Sequence, residues 1–172
     1  MIGTGNQPTW ELLLGQGLAA VLTAFFGEDH RSRLMQKLLF GLSNRRIPHP
    51  RTASDWITKD EAIVDAYVQD PACSFRFTLN GYANLFGLIR YVKKPAHNAA
   101  IPKQLPIILL SGTDDPVGSY GKAVRQACQN WKQQGIADVS CKLYPTDRHE
   151  ILNETDRDVV YADIAAWLER HL

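Results

Sequence analysis

Two residues in this sequence stand where acid–base chemistry would need them, Asp115 and His149. Each follows an apolar run of strand character. Ile107-Ile108-Leu109-Leu110 stops abruptly at Ser111-Gly112-Thr113-Asp114-Asp115-Pro116, and Val139-Ser140-Cys141-Lys142-Leu143-Tyr144 ends at Pro145-Thr146-Asp147-Arg148-His149-Glu150. Parallel strands joined by a helix end at the same sheet edge, which is where open α/β sheets bind ligands. Carboxylate and imidazole can then meet in space although they are far apart in the chain. A carboxylate so placed fixes the histidine tautomer and stabilises the imidazolium that forms when the ring takes a proton. Asp115 competes for this role with an ordinary use as an Asx turn or helix cap, and that ordinary use suits Asp114 better.

The third group such a device needs is a nucleophile, and none is evident. G-x-S-x-G does not occur, and none of Ser32, Ser43, Ser54, Ser74, Ser111, Ser119 and Ser140 carries the flanking glycines of that sharp strand-to-helix turn. Cys141 lies inside a strand run. His149-Glu150-Ile151-Leu152-Asn153 has asparagine where the second histidine of H-E-x-x-H would stand, so no metal is assigned there. His30, His49, His97 and His171 fall in loops or at a chain end and receive no role. Arg45, Arg46 and Arg51 read as a solvated loop pairing with Asp55 and Asp60, with an anionic head group as the alternative.

The elements that must position the acid and the histidine can be outlined from pattern. Residues 1–9 read as a strand stub entering a glycine-rich loop. Trp10 to Phe26 predicts an apolar helix with Trp10, Leu13, Leu14, Gly17, Leu18 and Val21 at helical spacing. A second helix is expected from Asp29, with Leu34, Leu38 and Leu39 as its apolar stripe. Pro48 and Pro50 break the pattern, and Thr58-Lys59-Asp60-Glu61 predicts a helix start by a capping box. Ile63, Val64, Tyr67 and Val68 are its expected buried face, and Asn80-Gly81 predicts a turn before a further helix. Tyr120 to Gln134, closed by Gly135, is the clearest helix, with Tyr120, Val124, Ala127, Cys128 and Trp131 on one face. A last helix is expected over 155–172, opened by a Thr155–Asp158 capping box and burying Val160, Ile164, Trp167, Leu168 and Leu172, with Asn153 as a further capping residue. Glu150 is expected to orient its loop. The β–α–β–loop–α order predicts an α/β fold.

Composition excludes several classes of function. The 172 residues are 45% hydrophobic and 22% charged, as in a globular domain, and 19 basic against 18 acidic residues leave a net charge of +1. That is no footprint for nucleic acid. Three cysteines without CxxC spacing (Cys73, Cys128, Cys141) predict reduced thiols and a cytoplasmic location. The most apolar stretch, Leu12 to Phe26, is interrupted by Gly15, Gln16, Gly17 and Thr23 and has no basic region before it. Neither a signal peptide nor a stable membrane anchor is expected from it.

Ser111-Gly112-Thr113-Asp114-Asp115-Pro116-Val117-Gly118 and Tyr144-Pro145-Thr146-Asp147-Arg148-His149-Glu150-Ile151-Leu152-Asn153-Glu154 resemble the acid and histidine regions of α/β-hydrolases. The resemblance is strongest to the branch of monoacylglycerol lipases, lysophospholipases and the serine aminopeptidase group. In that family the acid falls three residues after the glycine that ends its strand, which maps to Asp115 and not Asp114, and the histidine after Tyr-Pro-x-x-Arg maps to His149. Asn44-Arg45-Arg46, Asp55-Trp56, Val64-Asp65-Ala66-Tyr67 and Asp70-Pro71 are similar to the helical cap of bacterial members, and Ile2-Gly3-Thr4-Gly5 to the strand end shortly after the nucleophile helix.

The resemblance implies the C-terminal part of an α/β-hydrolase, parallel strands with flanking helices plus a helical cap. Residues 1–9 and 99–172 would belong to the core and 10–98 to the cap. It implies serine-dependent hydrolysis of a small lipid-like or other acyl ester in a full-length parent, with Asp115 and His149 catalytic and no cofactor. The early strands, the oxyanion loop and the nucleophile elbow have no counterpart, so a fragment is expected, with self-association through an exposed sheet edge. The alternative is a catalytically inactive truncated chain acting as a partner-dependent binding or structural module.

Overall fold

The acid and histidine motifs sit on two parallel strands, and the rest of one unit is arranged around them. A computed structural model describes all residues, 1–172. In chain order it contains α1 (Thr9–Phe26), α2 (Arg33–Phe40), a 3-10 turn (Asp55–Ile57), α3 (Glu61–Gln69), α4 (Leu79–Val92), α5 (Pro95–Ala99), β1 (Ile107–Gly112), α6 (Lys122–Gln133), β2 (Val139–Tyr144), a second 3-10 turn (Ile151–Asn153) and α7 (Arg157–Glu169). These group into two compact units, one of residues 1–6, 43–70 and 102–172 and one of residues 7–42 and 71–101. Residues 43–70, placed with the cap by sequence, therefore pack with the strands.

In the strand-bearing unit β1 and β2 pair in parallel, with Ile107 opposite Val139 and Gly112 opposite Tyr144. Ile2 adds a parallel bridge to Leu110, where Leu110 N–H donates to Met1 O (2.8 Å) and Gly3 N–H to Leu110 O (3.2 Å). The Met1 ammonium donates to Ile108 O at 2.7 Å, and burial lowers its pKa. Leu110, Tyr144, Ile151 and Val160 form one core cluster, flanked by Ile108, Leu152 and Ile164. Helix α6 packs on both strands through Ala123, Val124 and Cys128. It ends in a Schellman motif at Gly135 (φ 83°), with Ile136 N–H donating to Trp131 O and Gly135 N–H to Lys132 O. Cys73 and Cys141 are exposed and Cys128 is buried; all three are free.

Two capping boxes read from sequence do not form. Helix α3 is capped by Asp60, whose carboxylate accepts from Ala62 N–H and Ile63 N–H. Thr58 instead donates its hydroxyl to Asn153 O at 2.9 Å, a tertiary bond that removes it from capping duty. At α7 the helix starts past Thr155, whose N–H goes to the Glu154 carboxylate, and Asp156 makes no side-chain cap. Asn153 does not cap α7 either: its amide donates to Glu150 Oε2 (2.7 Å). Of the faces expected to be buried, α3 buries Val64 and leaves Val68 exposed, while α7 buries Val160 and leaves Leu168 and Leu172 in solvent.

In the helical unit, α1 packs on α4 through a side that shares only Leu18 with the stripe read from periodicity. Leu12 and Ala19 are buried with Met35, Leu79, Tyr82 and Phe86, while Trp10, Leu13, Leu14 and Val21 are exposed. Because α1 is apolar nearly all round, spacing alone does not decide which side faces inward; size and hydrogen bonding do. A Cβ on Gly15 would lie 2.7 Å from the Phe86 ring, so glycine is what lets the ring in. Gln16 donates to Ala83 O (3.2 Å) and accepts from Arg90. Similarly α2, capped by Ser32, buries Met35 rather than the expected Leu34, Leu38 and Leu39. Asn80-Gly81 is not a turn: Thr78 caps α4 by accepting from Gly81 N–H (3.0 Å), and the cap draws the dipeptide into the first turn.

Helix α1 has 18 residues, a mean hydropathy of 1.3 and only 11% of its length buried, so by length and composition it is able to cross a bilayer. The polar and glycine interruptions noted in the sequence do not lower its average enough to prevent that. Its packed side on α4 is that of a helix in a helical layer.

Filling the α1–α4 contact should be costly. Gly15→Val is expected to destabilise the helical unit by about 1–3 kcal/mol through overpacking against buried Phe86. Denaturant unfolding followed by far-UV circular dichroism measures this, and an unchanged midpoint would show that the contact is slack.

Candidate active site

The loops after β1 and β2 are joined by two backbone bonds and one to a threonine hydroxyl. Thr113 N–H donates to Tyr144 O (2.9 Å), Asp114 N–H to Asp147 O (2.8 Å) and Thr146 N–H to Thr113 Oγ1 (2.8 Å). The crossing is so close that a Cβ on Gly112 would stand 1.9 Å from Asp147 O. Only glycine fits at this position. The register therefore sets where the acid and histidine loops lie relative to one another.

Asp115 is fully buried. Its Oδ1 accepts from Val117 N–H (2.8 Å), its Oδ2 accepts from Ser111 Oγ (3.2 Å), and its Oδ1 lies 3.1 Å from His149 Nδ1. The Asx turn and the histidine partnership, alternatives in the sequence, are thus made by one side chain at once. Gly118 allows it: a Cβ there would stand 3.1 Å from both Asp115 Oδ2 and Ser111 Oγ. Asp114 is exposed and offers the histidine nothing. Beyond the acid, Ser119 and Tyr120 adopt positive φ (50° and 57°), and Tyr120 N–H donates to Asp115 O (2.8 Å), turning the chain into α6.

His149 is held from the other side by residues 55–58. Its N–H donates to Trp56 O (3.3 Å), and Glu150 N–H to Ile57 O (2.7 Å). The Arg148 guanidinium donates to Asp55 O (2.6 Å) and Thr58 O (2.9 Å). The Trp56 ring lies 5.2 Å from the imidazole, tilted by 43°. Gly3, at φ 61°, lies against the ring edge, where a Cβ would come within 2.9 Å of Cε1. The imidazole is about a quarter exposed (26%) while its carboxylate partner is at 0%. With Nδ1 turned to the acid, Nε2 remains for a reacting group.

Sequence reasoning passed over Trp56, Gly3 and Arg148 as parts of this site. Positive φ at Gly3 was hinted at by the glycine-rich start, but nothing local tied residues 55–58 to the histidine loop. It also passed over a buried ionic cluster beside that loop. Asp147, Glu154 and Asp156 bring carboxylate oxygens within 4.8 Å of one another, the geometry of a cation site, and the cation among them is Lys59. Its ammonium is 2.6 Å from Asp147 Oδ1, 3.8 Å from Glu154 Oε2 and 3.9 Å from Asp156 Oδ1. Burial works against the Lys59 charge, but these carboxylates outweigh it and raise its pKa above the ordinary lysine value.

The basic loop differs from expectation. Arg51 pairs with Asp65 (2.9 Å) and Glu61 (3.4 Å), Asp60 with Arg157 (3.5 Å), and Asp55 receives the Arg51 and Thr52 backbone N–H groups. The guanidinium carbons of Arg46 and Arg45 lie 3.4 and 5.2 Å from the centre of the Tyr120 ring.

Comparison with known proteins agrees with this architecture. The sequence profile of the family described as "Serine aminopeptidase, S33" matches residues 15–156. The chain belongs to that family and has the fold of an α/β-hydrolase. It is 28% identical over 130 residues to a monoacylglycerol lipase of Mycolicibacterium smegmatis, covering 73% of this chain and 42% of that protein. A thermostable carboxyl esterase from Bacillus coagulans, solved with glycerol, superposes over 98% of this chain and 55% of its own, at TM-score 0.83 and 27% identity. A lipase in open form shares the fold over the same shares of both chains, at TM-score 0.82 and 23% identity. The chain thus spans about half the length of these relatives.

The backbone crossing supplies a direct test. Gly112→Ala forces Asp147 O away and is expected to cost at least ~1–3 kcal/mol, because backbone rather than a flexible side chain must yield. Thermal unfolding checks it, and a variant as stable as the parent would show that the loops cross less closely.

Proposed function

We propose that this chain carries the acid and base of a serine-type ester hydrolase, with His149 as general base and then general acid and Asp115 as its orienting carboxylate. One observation carries the reading: the 3.1 Å approach of buried Asp115 Oδ1 to His149 Nδ1, at the shared edge of two parallel strands. The Asp115 carboxylate holds the imidazole with its proton on Nδ1, which leaves the Nε2 lone pair to take a proton from a serine hydroxyl. The imidazolium so formed is stabilised by the same carboxylate and returns its proton to the leaving alkoxide. Val117 N–H on Oδ1 and Ser111 Oγ on Oδ2 hold both carboxylate oxygens of Asp115 in place.

The substrate class is a lipid-like or other acyl ester, a reading that rests on the family and on the esterase and lipases it resembles. The nucleophile is supplied by polypeptide outside these 172 residues, since no serine here sits in the nucleophile-elbow pattern. Residual catalysis by a site that lacks a triad member comes from the oxyanion hole and binding.

Two measurements test this. The 172-residue chain by itself is expected to turn over no nitrophenyl ester and to take no fluorophosphonate label; turnover abolished by His149→Ala would place a nucleophile inside it and overturn the reading. In a polypeptide that does supply the nucleophile, Asp115→Asn is expected to lower kcat by as much as ~10⁴-fold because the amide favours the wrong tautomer. Asp114→Asn should leave kcat nearly unchanged, and equal losses in the two would refute the assignment of the acid.

A further inference from the structure

We propose that Lys59 is a positioning residue for His149, acting through the buried carboxylates of Asp147 and Glu154. The inference rests on the reading of His149 as the base, and deepens it by naming what holds the histidine loop in place. It begins from an imbalance of charge. Asp147 and Glu154 both have fully buried side chains, in the stretch that begins two residues before His149 and ends five after it. A buried ionised group is tolerated only when paired and hydrogen-bonded.

The two acids meet that demand differently. Glu154 is satisfied by backbone from both segments: Oε1 accepts from Arg148 N–H (2.8 Å), and Oε2 from Lys59 N–H (3.1 Å) and Thr155 N–H (3.3 Å). Its carboxylate thus bridges residue 59 to the residue just before the histidine. Asp147 is satisfied on one side only. Oδ1 accepts from Lys59 Nζ at 2.6 Å, while Oδ2 is buried with no partner. The Lys59 ammonium also reaches Thr146 Oγ1 (3.3 Å), in the positive-φ turn (64°) that aims the histidine loop. Asp156 is exposed and its own carboxylate can be solvated, and Arg157 spends its charge on Asp60 and Glu154 O. Lys59 is left as the one cation in contact with both buried acids.

These same residues fix the histidine. Asp147 O receives Asp114 N–H, which sets the acid loop against the histidine loop. Arg148, His149 and Glu150 bond to the carbonyls of residues 55–58, just before Lys59. Without the ammonium, Asp147 and Glu154 face each other buried and unbalanced, and the loop must open to hydrate them. The Asp115–His149 approach is lost with that opening.

The experiment follows the His149 ring by NMR in the 172-residue chain labelled with ¹⁵N-histidine. The parent should show the neutral tautomer with its proton on Nδ1, slow to exchange. Lys59→Met should lose that slowly exchanging proton and populate both tautomers, and Lys59→Arg, which keeps the charge, should retain it. The ring of His171, held in the same unit by Trp167 O and Asp138, reports whether each variant is folded. Should Lys59→Met unfold, Lys59→Met with Asp147→Asn removes the ammonium and the carboxylate it balances together, and the Nδ1 proton of His149 is expected to be retained. A retained Nδ1 proton in the folded Met variant, or its loss in the double variant or in Lys59→Arg, would overturn the proposal. Asp115→Asn separates this from the parent reading. If that variant keeps the Nδ1 proton, the acid–base assignment itself fails. If it loses the proton while the Lys59 variants keep theirs, only the role of Lys59 fails.

Discussion

The passage of the Asp147 carbonyl over Gly112 is the constraint on which the strand-bearing unit depends. It is a backbone-to-backbone crossing at the end of a parallel pair, and it tolerates no side chain. Once it is in place, Asp114 N–H has its acceptor, Thr113 reaches Thr146, and Asp115 is carried under the imidazole. The chemistry of the pair is therefore a consequence of register. A slip of one residue between β1 and β2 would turn every side chain to the other face and would bring Asp114, with its exposed and unheld carboxylate, toward the histidine.

Charge burial is the second constraint, and it runs against the first. Asp115, Asp147 and Glu154 all lie inside, in a unit whose apolar core around the strands is small. Each is compensated by a different device: Asp115 by a backbone N–H, a hydroxyl and the imidazole; Glu154 by backbone N–H groups; Asp147 by an ammonium. Hydrogen bonds to charged groups are stronger than neutral ones, and leaving one partner unmade exposes the full desolvation penalty of the other. Because desolvation offsets the attraction within a buried ion pair, these groups add little net stability; what they do fix is the position of the loop that carries His149.

What the sequence made legible was whatever lies within one strand and its following loop. The two strands and the α6 helix with its Gly135 stop follow from local pattern, whereas the preference for Asp115 over Asp114 came from the resemblance to a family's acid motif. The errors have a common cause, which is tertiary competition for a local signal. Thr58 looked like a cap and became a donor to Asn153; Asn80-Gly81 looked like a turn and was drawn into α4 by Thr78. Helix α1 shows the limit of periodicity: when most positions are apolar, the buried side is chosen by Gly15 and Gln16 and not by the leucines. Residues 43–70 had no signal at all for packing with the strands, because the bonds from Arg148, His149 and Glu150 go to main-chain carbonyls, which any sequence could offer.

The acid–histidine pair is also self-contained. Every group that touches Asp115 or His149, from Gly3 and Trp56 to Ser111, Val117 and Gly118, lies in the same compact unit. The geometry of the imidazole is thus set within this one unit. The imidazole is bounded by a carboxylate at Nδ1, an indole beside its ring and a glycine at Cε1, and Nε2 carries the only unassigned polar capacity. General-base catalysis requires just that arrangement: a ring nitrogen with a free lone pair, oriented before the reacting hydroxyl arrives, so that no reorganisation is needed when the proton moves.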